Sequence, residues 1–120
     1  MRVAGFGFRP AASTAALMDA YRLAGGGADA LATVAEKADA AALRDLARAL
    51  GLGIIAIAPE IIAATPTATH SPRVAARFGA GSLAEAAALA GAGAGARLTG
   101  PRQVSGDGMA TAAIAERKKA

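Results

Sequence analysis

The sequence predicts a single three-layer α/β domain, with a mixed, mostly parallel sheet, helices on both faces and a C-terminal β-hairpin. Three observations predict this fold. Short apolar segments alternate with helical patterns, which is the order of strand–helix–strand units. The run Gly53-Ile-Ile-Ala-Ile-Ala58 is continuous and β-branched, as in a strand buried within a parallel sheet. Gly106-Asp-Gly108 separates two strand-like segments, which is typical of a hairpin turn.

Helical spacing of apolar residues predicts three main helices, over residues 13 to about 24, 39 to 50 and 82 to about 90. Ser13 and Ser82 occupy the N-cap positions of the first and third of these helices, and Glu85 would complete a capping box with Ser82. The expected strands are residues 1–7, 30–34, 53–58, 96–99 and 109–115, with a short helical turn at 59–64 and a polar, proline-containing loop at 65–72.

Composition narrows the function classes. The 120 residues fit one domain, expected at 1–115, with a basic tail at 116–120. The chain has no Cys and one His, so we expect no metal site and no thiol chemistry. The net charge is +4, but the last five residues contribute half of it. The sequence has no stripe of clustered Lys and Arg residues combined with aromatic residues or a helix that could contact bases. Nucleic acid is therefore not an expected partner.

Targeting signals are also missing from the sequence. No apolar run approaches the roughly 20 residues of a transmembrane helix, and the first residues lack the pattern of a signal peptide. The sequence therefore predicts a cytoplasmic protein with no membrane partner.

The first fourteen residues suggest an anion site. They predict a strand, a glycine-rich turn at Gly5 and Gly7 that carries Arg9, and a helix capped by Ser13. Backbone N–H groups and a guanidinium at a helix N-terminus suit a carboxylate or phosphate. A dinucleotide fingerprint is excluded, because its third glycine would fall at Pro10, and no P-loop pattern follows. The alternative is that the two glycines serve only the geometry of a tight turn.

Other polar residues have both a functional and a structural interpretation. Lys37 and Arg102 would add positive charge near Arg9, or would be exposed surface charges. His70 and Ser71 would bond to a ligand or within their own loop, because adjacent residues rarely align as a catalytic pair. Glu85 would be a capping partner or an acid–base group.

Taken in order, the motifs resemble the CobE/CbiG C-terminal domain family of cobalamin (vitamin B12) biosynthesis. The resemblance covers nearly the whole chain and rests on the segments Gly5-Phe-Gly-Phe-Arg9 with Ser13, Leu31 to Lys37, Leu43 to Leu52, Thr69-His-Ser-Pro-Arg-Val74, Ser82 to Leu89, Leu98 to Arg102 and Ala110 to Ala115. It implies a small α/β domain that acts on corrin-ring intermediates. In CbiG-type proteins this domain follows an N-terminal partner, and the whole protein opens a lactone ring of a cobalt-precorrin. A stand-alone chain with Arg102 in place of the usual Lys is more similar to the CobE type.

The expected ligand site has no cofactor. Arg9, Ser13, Lys37, Ser71, Glu85 and Thr111 match the family pattern, and the other candidate ligand residues are Gly5, Gly7, Thr33, His70 and Arg102. The chain departs from the family at Phe8 and Pro10, where Cys and Arg are usual, and at Ala40, where Glu is frequent. Loss of a thiol and an acid favours binding over catalysis.

The expected function is therefore binding of a precorrin or hydrogenobyrinic-acid-type intermediate through its carboxylates. Two alternatives stay open. One is an enzyme related to cobalt-precorrin-5A hydrolase, with Glu85 or His70 as acid or base. The other is an accessory subunit that assists another enzyme of the pathway.

Overall fold

A computed structural model describes residues 1–67 and 82–118, in which strands and helices alternate along most of the chain. A short 3₁₀ turn, Ala35–Lys37, follows the second strand. The strands are β1 (Arg2–Phe8), β2 (Ala30–Val34), β3 (Ile54–Ile57), β4 (Arg97–Leu98), β5 (Gln103–Val104) and β6 (Ala110–Glu116). The helices are α1 (Thr14–Leu23), α2 (Ala41–Leu50), α3 (Pro59–Ala64) and α4 (Leu83–Ala92).

The sheet is mixed, with the order β3-β2-β1-β6, and β4 and β5 both pair with the outer side of β6. Strands β1, β2 and β3 are parallel. Strand β6 runs antiparallel to β1 along its whole length, from Glu116 opposite Arg2 to Ala110 opposite Phe8. Strand β6 extends one residue beyond the predicted domain end at 115, into the expected basic tail.

The predicted C-terminal hairpin is confirmed. Strands β5 and β6 are joined by a tight turn, in which the Ser105 amide donates to the Ala110 carbonyl (2.8 Å). The Asp107 carboxylate accepts bonds from the Ser105 hydroxyl (2.6 Å) and the Met109 amide (2.9 Å), and these lower the pKa of Asp107. The Asp19 carboxylate on α1 accepts the Gly106 amide (2.8 Å), which joins this turn to the helix layer.

Helices cover both faces of the sheet, as predicted, and each face has its own core. Helices α1 and α2 cover one face, and α3 and α4 cover the other. The largest buried side chains on the α1–α2 side are Phe6, Leu17, Leu31, Leu43, Leu46 and Ile114, and those on the α3–α4 side include Val3, Val34, Ile57, Ile62 and Leu83.

Two details of the secondary structure differ from the sequence prediction. Strand β3 is less buried than its apolar run implies, because it is the terminal strand of the described sheet: Ile54 and Ile55 are half-buried and Ala56 is exposed. Helix α2 begins at Ala41 instead of residue 39, after an N-cap, Ala40, whose side chain makes no capping bond.

The predicted turn at Gly5 and Gly7 is wrong. Both glycines lie within β1, are buried, and have no left-handed backbone. The chain reverses after the strand instead, where the Ala12 amide donates to the Arg9 carbonyl (2.9 Å). The amides of Gly5 and Gly7 therefore belong to strands and not to an anion-binding loop.

Gly5 instead allows α4 to approach the sheet closely. A Cβ atom at Gly5 would overlap the Ala84 carbonyl oxygen and the Ala88 amide nitrogen. At the other end of α4, a Cβ at Gly91 would lie 2.9 Å from Val3 Cγ1. At Gly5, helix backbone and strand backbone thus meet without an intervening side chain, whereas at Gly91 the helix backbone packs against strand side chains.

We expect Gly5→Ala to destabilise the fold strongly, because the added methyl meets backbone atoms that cannot move aside. The loss in the free energy of unfolding should be about 3 kcal/mol or more, at the upper end for overpacked cores. Chemical denaturation monitored by circular dichroism measures it.

Gly53→Ala is the matched control. A Cβ there would meet nothing within 4 Å, and Gly53 has no left-handed φ. The free energy of unfolding of the Gly53→Ala variant should change by less than about 1 kcal/mol. A small stabilisation is expected, because alanine restricts the unfolded chain more than glycine does. Equal effects of the two substitutions would contradict the packing role of Gly5.

Ser82→Ala should remove the N-cap of α4. The Glu85 amide donates to the Ser82 hydroxyl (3.3 Å), and both residues are fully buried, so water cannot replace the lost acceptor. We expect a loss of about 2 kcal/mol, the upper end for N-caps. Ser13→Ala, which removes the more exposed cap of α1, should cost less in the same thermal or chemical melt. An unchanged melt for Ser82→Ala would contradict the assigned helix start.

Candidate functional site

The candidate site lies at the edge of the sheet where β1, β2 and β3 end, called here the carboxyl edge. In open α/β sheets, ligands bind outside the carboxyl ends of the parallel strands. Helix α1 begins here, directly after β1 and its turn. Helix α4 begins here too, since Leu83 lies against Gly7 at the end of β1 while Gly91 lies against Val3 near its start. Two helices of ten residues thus direct their positive N-terminal ends to this edge.

Lys37 brings a positive charge to the carboxyl edge. Its ammonium group donates to the Phe8 carbonyl oxygen (2.8 Å) and lies 5.1 Å from the centre of the Phe8 ring. The 3₁₀ turn after β2 therefore holds this charge against the end of β1. A half-buried ammonium in this position is a cation with a defined location, and not a freely moving surface lysine.

Arg9 directly follows β1, one residue after the Phe8 carbonyl that accepts the Lys37 hydrogen bond. Its backbone amide donates to the Met109 carbonyl (3.0 Å), which extends the pairing of β1 with β6 by one residue. Its side chain is exposed. The backbone is thus anchored while the guanidinium remains accessible to an anion in solution.

The threonines of the predicted site bond to the backbone of β1. Thr111 on β6 donates to the Gly7 carbonyl (3.0 Å), across a pair of residues that lie in register. Thr33 on β2 donates to the Phe6 carbonyl (2.9 Å) and is fully buried. Thr33 therefore ties two strands together inside the domain, whereas half-buried Thr111 remains at the carboxyl edge.

Glu85 is fully buried in the first turn of α4. The N-cap bond of the predicted capping box is present, because the Ser82 hydroxyl accepts a hydrogen bond from the Glu85 amide. Because this carboxyl group does not face solvent, a ligand at the surface of the carboxyl edge does not contact it.

Ser13 lies at the carboxyl edge, where it caps α1 by accepting a hydrogen bond from the Ala16 amide (3.1 Å). Two of the remaining predicted residues do not join it there. Arg102 precedes β5, beyond β6, and so lies two strands away from Arg9. Gly5 is enclosed under α4, and His70 and Ser71 lie outside the described residues.

The role of Phe8 was not evident from the sequence, where this residue is a departure from the family pattern. In the structure, the Phe8 carbonyl and ring position Lys37. An aromatic residue at a strand end, opposite a lysine that follows the neighbouring parallel strand, is the signal that could have indicated the contact.

Within residues 1–67 and 82–118, no helix is long and apolar enough to cross a membrane. In the same residues, no group of three carboxylate or imidazole side chains is arranged to hold a metal ion.

Known proteins resemble this chain along almost its entire length. The sequence profile of the family described as "Cobalamin synthesis G C-terminus" matches residues 2–115. The crystal structure of CobE, a protein from the cobalamin (vitamin B12) biosynthetic pathway, is 31% identical and has a TM-score of 0.81, with 96% of this chain and 89% of that chain covered.

A second solved structure, the cobalamin biosynthesis protein chiG from Agrobacterium tumefaciens strain C58, is 41% identical with a TM-score of 0.76. The match covers 99% of this chain and 100% of that chain. A comparison with curated protein sequences gives no match. The family match over residues 2–115 and the two structures agree in fold and in pathway, so the chain belongs to the cobalamin synthesis G C-terminal family and is a protein of cobalamin biosynthesis.

Proposed function

We propose that the protein binds a corrin-ring intermediate, of precorrin or hydrogenobyrinic-acid type, through the carboxylates of the ring's side chains. The carboxyl edge is the proposed site. One observation carries the proposal: Lys37 is bonded to the Phe8 carbonyl at the end of β1, Arg9 follows Phe8 directly in the chain, and α1 and α4 begin at the same edge. Positive charge from two side chains and two helix N-termini thereby lies at one edge of the domain.

The chemistry of such a ligand suits this edge. Corrin-ring intermediates carry acetate and propionate groups around an apolar macrocycle. A guanidinium such as that of Arg9 can hold a carboxylate in a bidentate arrangement, and the Lys37 ammonium acts as a point charge. Each exposed ion pair contributes only about 0–1 kcal/mol, so several must act together. Burial of the macrocycle adds about 25 cal/mol per Å² of apolar surface.

Binding is favoured here over catalysis. Glu85, a candidate acid or base, is fully buried and does not face the solvent at the carboxyl edge. Phe8 and Pro10 supply neither a thiol nor a second guanidinium at the end of β1. The polar groups that remain at the edge are suited to holding carboxylates.

A visible-absorbance titration with hydrogenobyrinic acid tests the proposal. We expect a saturable spectral change and co-elution of the corrinoid with the protein. Failure of both would refute binding by this chain alone. A new corrinoid product would favour the hydrolase-type alternative, and binding that requires another pathway protein would favour the accessory-subunit alternative.

Arg9→Ala should weaken corrinoid binding by up to about fivefold, the effect of one exposed ion pair. The fold should be unaffected, because the anchoring bond to Met109 comes from the backbone. The matched control is Arg22→Ala, which removes an equal charge from the last turn of α1, far from that helix's start. Equal affinity of Arg9→Ala and wild type would reject Arg9 as a ligand contact.

Lys37→Met should affect both affinity and stability. It removes the charge and also the hydrogen bond to the Phe8 carbonyl, which contributes about 0.5–1.5 kcal/mol. We therefore expect a lower melting temperature as well as weaker binding in the same titration. A stability loss with unchanged affinity would assign Lys37 a purely structural role.

A further inference from the structure

A second concentration of positive charge lies at the opposite edge of the sheet, where β1 begins and β6 ends. A cavity of about 710 Å³ opens there. Its volume falls within the range of small-molecule sites. It is lined by Met1, Ala94, Gly95, Arg97, Glu116, Arg117 and Lys118. We call it the amino-edge cavity.

Cationic side chains outnumber carboxylates in this lining. Arg97, Arg117 and Lys118 are exposed, and Glu116 is the single acid among the lining residues. Glu116 forms an ion pair with Arg2 at 3.3 Å, on the side of β1. Its negative charge is thus already engaged by a residue outside the lining, and the cavity retains a positive excess.

Backbone pairing fixes the positions of Arg97 and Arg117 at this edge. Arg97 on β4 lies directly opposite Glu116 on β6. The Arg117 amide donates to the Met1 carbonyl (3.0 Å), which continues the pairing of β6 with β1 beyond the strand ends. Both arginines therefore extend from paired backbone and not from loose ends of the chain.

The loop after α4 accommodates the Arg117 side chain. Gly93 has a left-handed φ of 99°, and a Cβ there would lie 3.2 Å from Arg117 Nη1. The guanidinium thus rests against the backbone of this loop. Gly95, also left-handed at 84°, lines the cavity, and a Cβ at Gly95 would meet no atom within 4 Å.

We propose that the amino-edge cavity binds a compact polyanion, a small molecule or group bearing two or more carboxylates or phosphates. Exposed guanidinium and ammonium groups around one cavity suit such a ligand, because arginine binds carboxylate and phosphate in bidentate geometry. This site is separate from the carboxyl edge, and it does not depend on the proposed corrinoid binding.

Isothermal titration calorimetry at low ionic strength tests this with two probes, citrate and pyrophosphate. We expect saturable binding with a dissociation constant of about 1 mM or below for at least one probe. The probe that binds with the lower dissociation constant shows whether the site prefers carboxylate or phosphate. Added salt should weaken binding, because the cations are exposed. Lack of saturation by either probe up to about 10 mM would overturn the proposal.

Single substitutions test whether the probes bind in the amino-edge cavity. Arg97→Ala and Arg117→Ala should each weaken probe binding by about fivefold or more. Arg48→Ala, which removes an exposed charge on α2 outside the cavity, should leave it unchanged. Arg9→Ala should retain the component of probe binding that Arg97→Ala and Arg117→Ala weaken, which separates this site from the carboxyl edge. Equal affinity of the cavity variants and the Arg48 control would overturn the proposal, provided circular dichroism shows that all variants are folded.

Discussion

The rest of the structure depends on the close approach of α4 to β1. Gly5 has no side chain, so the Ala84 carbonyl and the Ala88 amide can lie where a Cβ would otherwise stand. The helix is rich in alanine, which allows the same proximity along its length, and most of its residues are buried. Close packing of small residues takes the place of the large aromatic side chains that this chain lacks, since the sequence has three Phe, one Tyr and no Trp.

This contact also decides what lies at each edge of the sheet. Because Leu83 packs against Gly7 and Gly91 against Val3, α4 runs opposite to β1 and begins at the carboxyl edge. The helix dipole then adds to the charges of Arg9 and Lys37. The same geometry carries the loop after α4 to the amino edge, where Gly93 meets Arg117. One packing interaction thus places the surroundings of both proposed anion sites.

The two edges hold their cations differently. At the carboxyl edge, Lys37 is half-buried and bonded to the Phe8 carbonyl, next to an exposed Arg9. At the amino edge, the cations are exposed around an open cavity, with Glu116 paired to Arg2. A positioned charge favours recognition of a ligand with fixed geometry, whereas an exposed cluster favours small, highly charged anions and depends more on salt.

The sequence by itself determined the layers, the hairpin and the N-caps at Ser13 and Ser82, because these follow from local periodicity, turn chemistry and short-range hydrogen bonds. It also determined the family, through motifs in a fixed order. Only the tertiary structure decided the roles of Gly5 and Gly7, since a glycine needed for a tight turn and one needed for helix packing look alike in sequence. The same holds for Phe8, for Thr33 and for Arg97 with Arg117, whose partners are 20 residues or more away or lie across the sheet. Those contacts exist only once the strands pair in register, so no local pattern could reveal them.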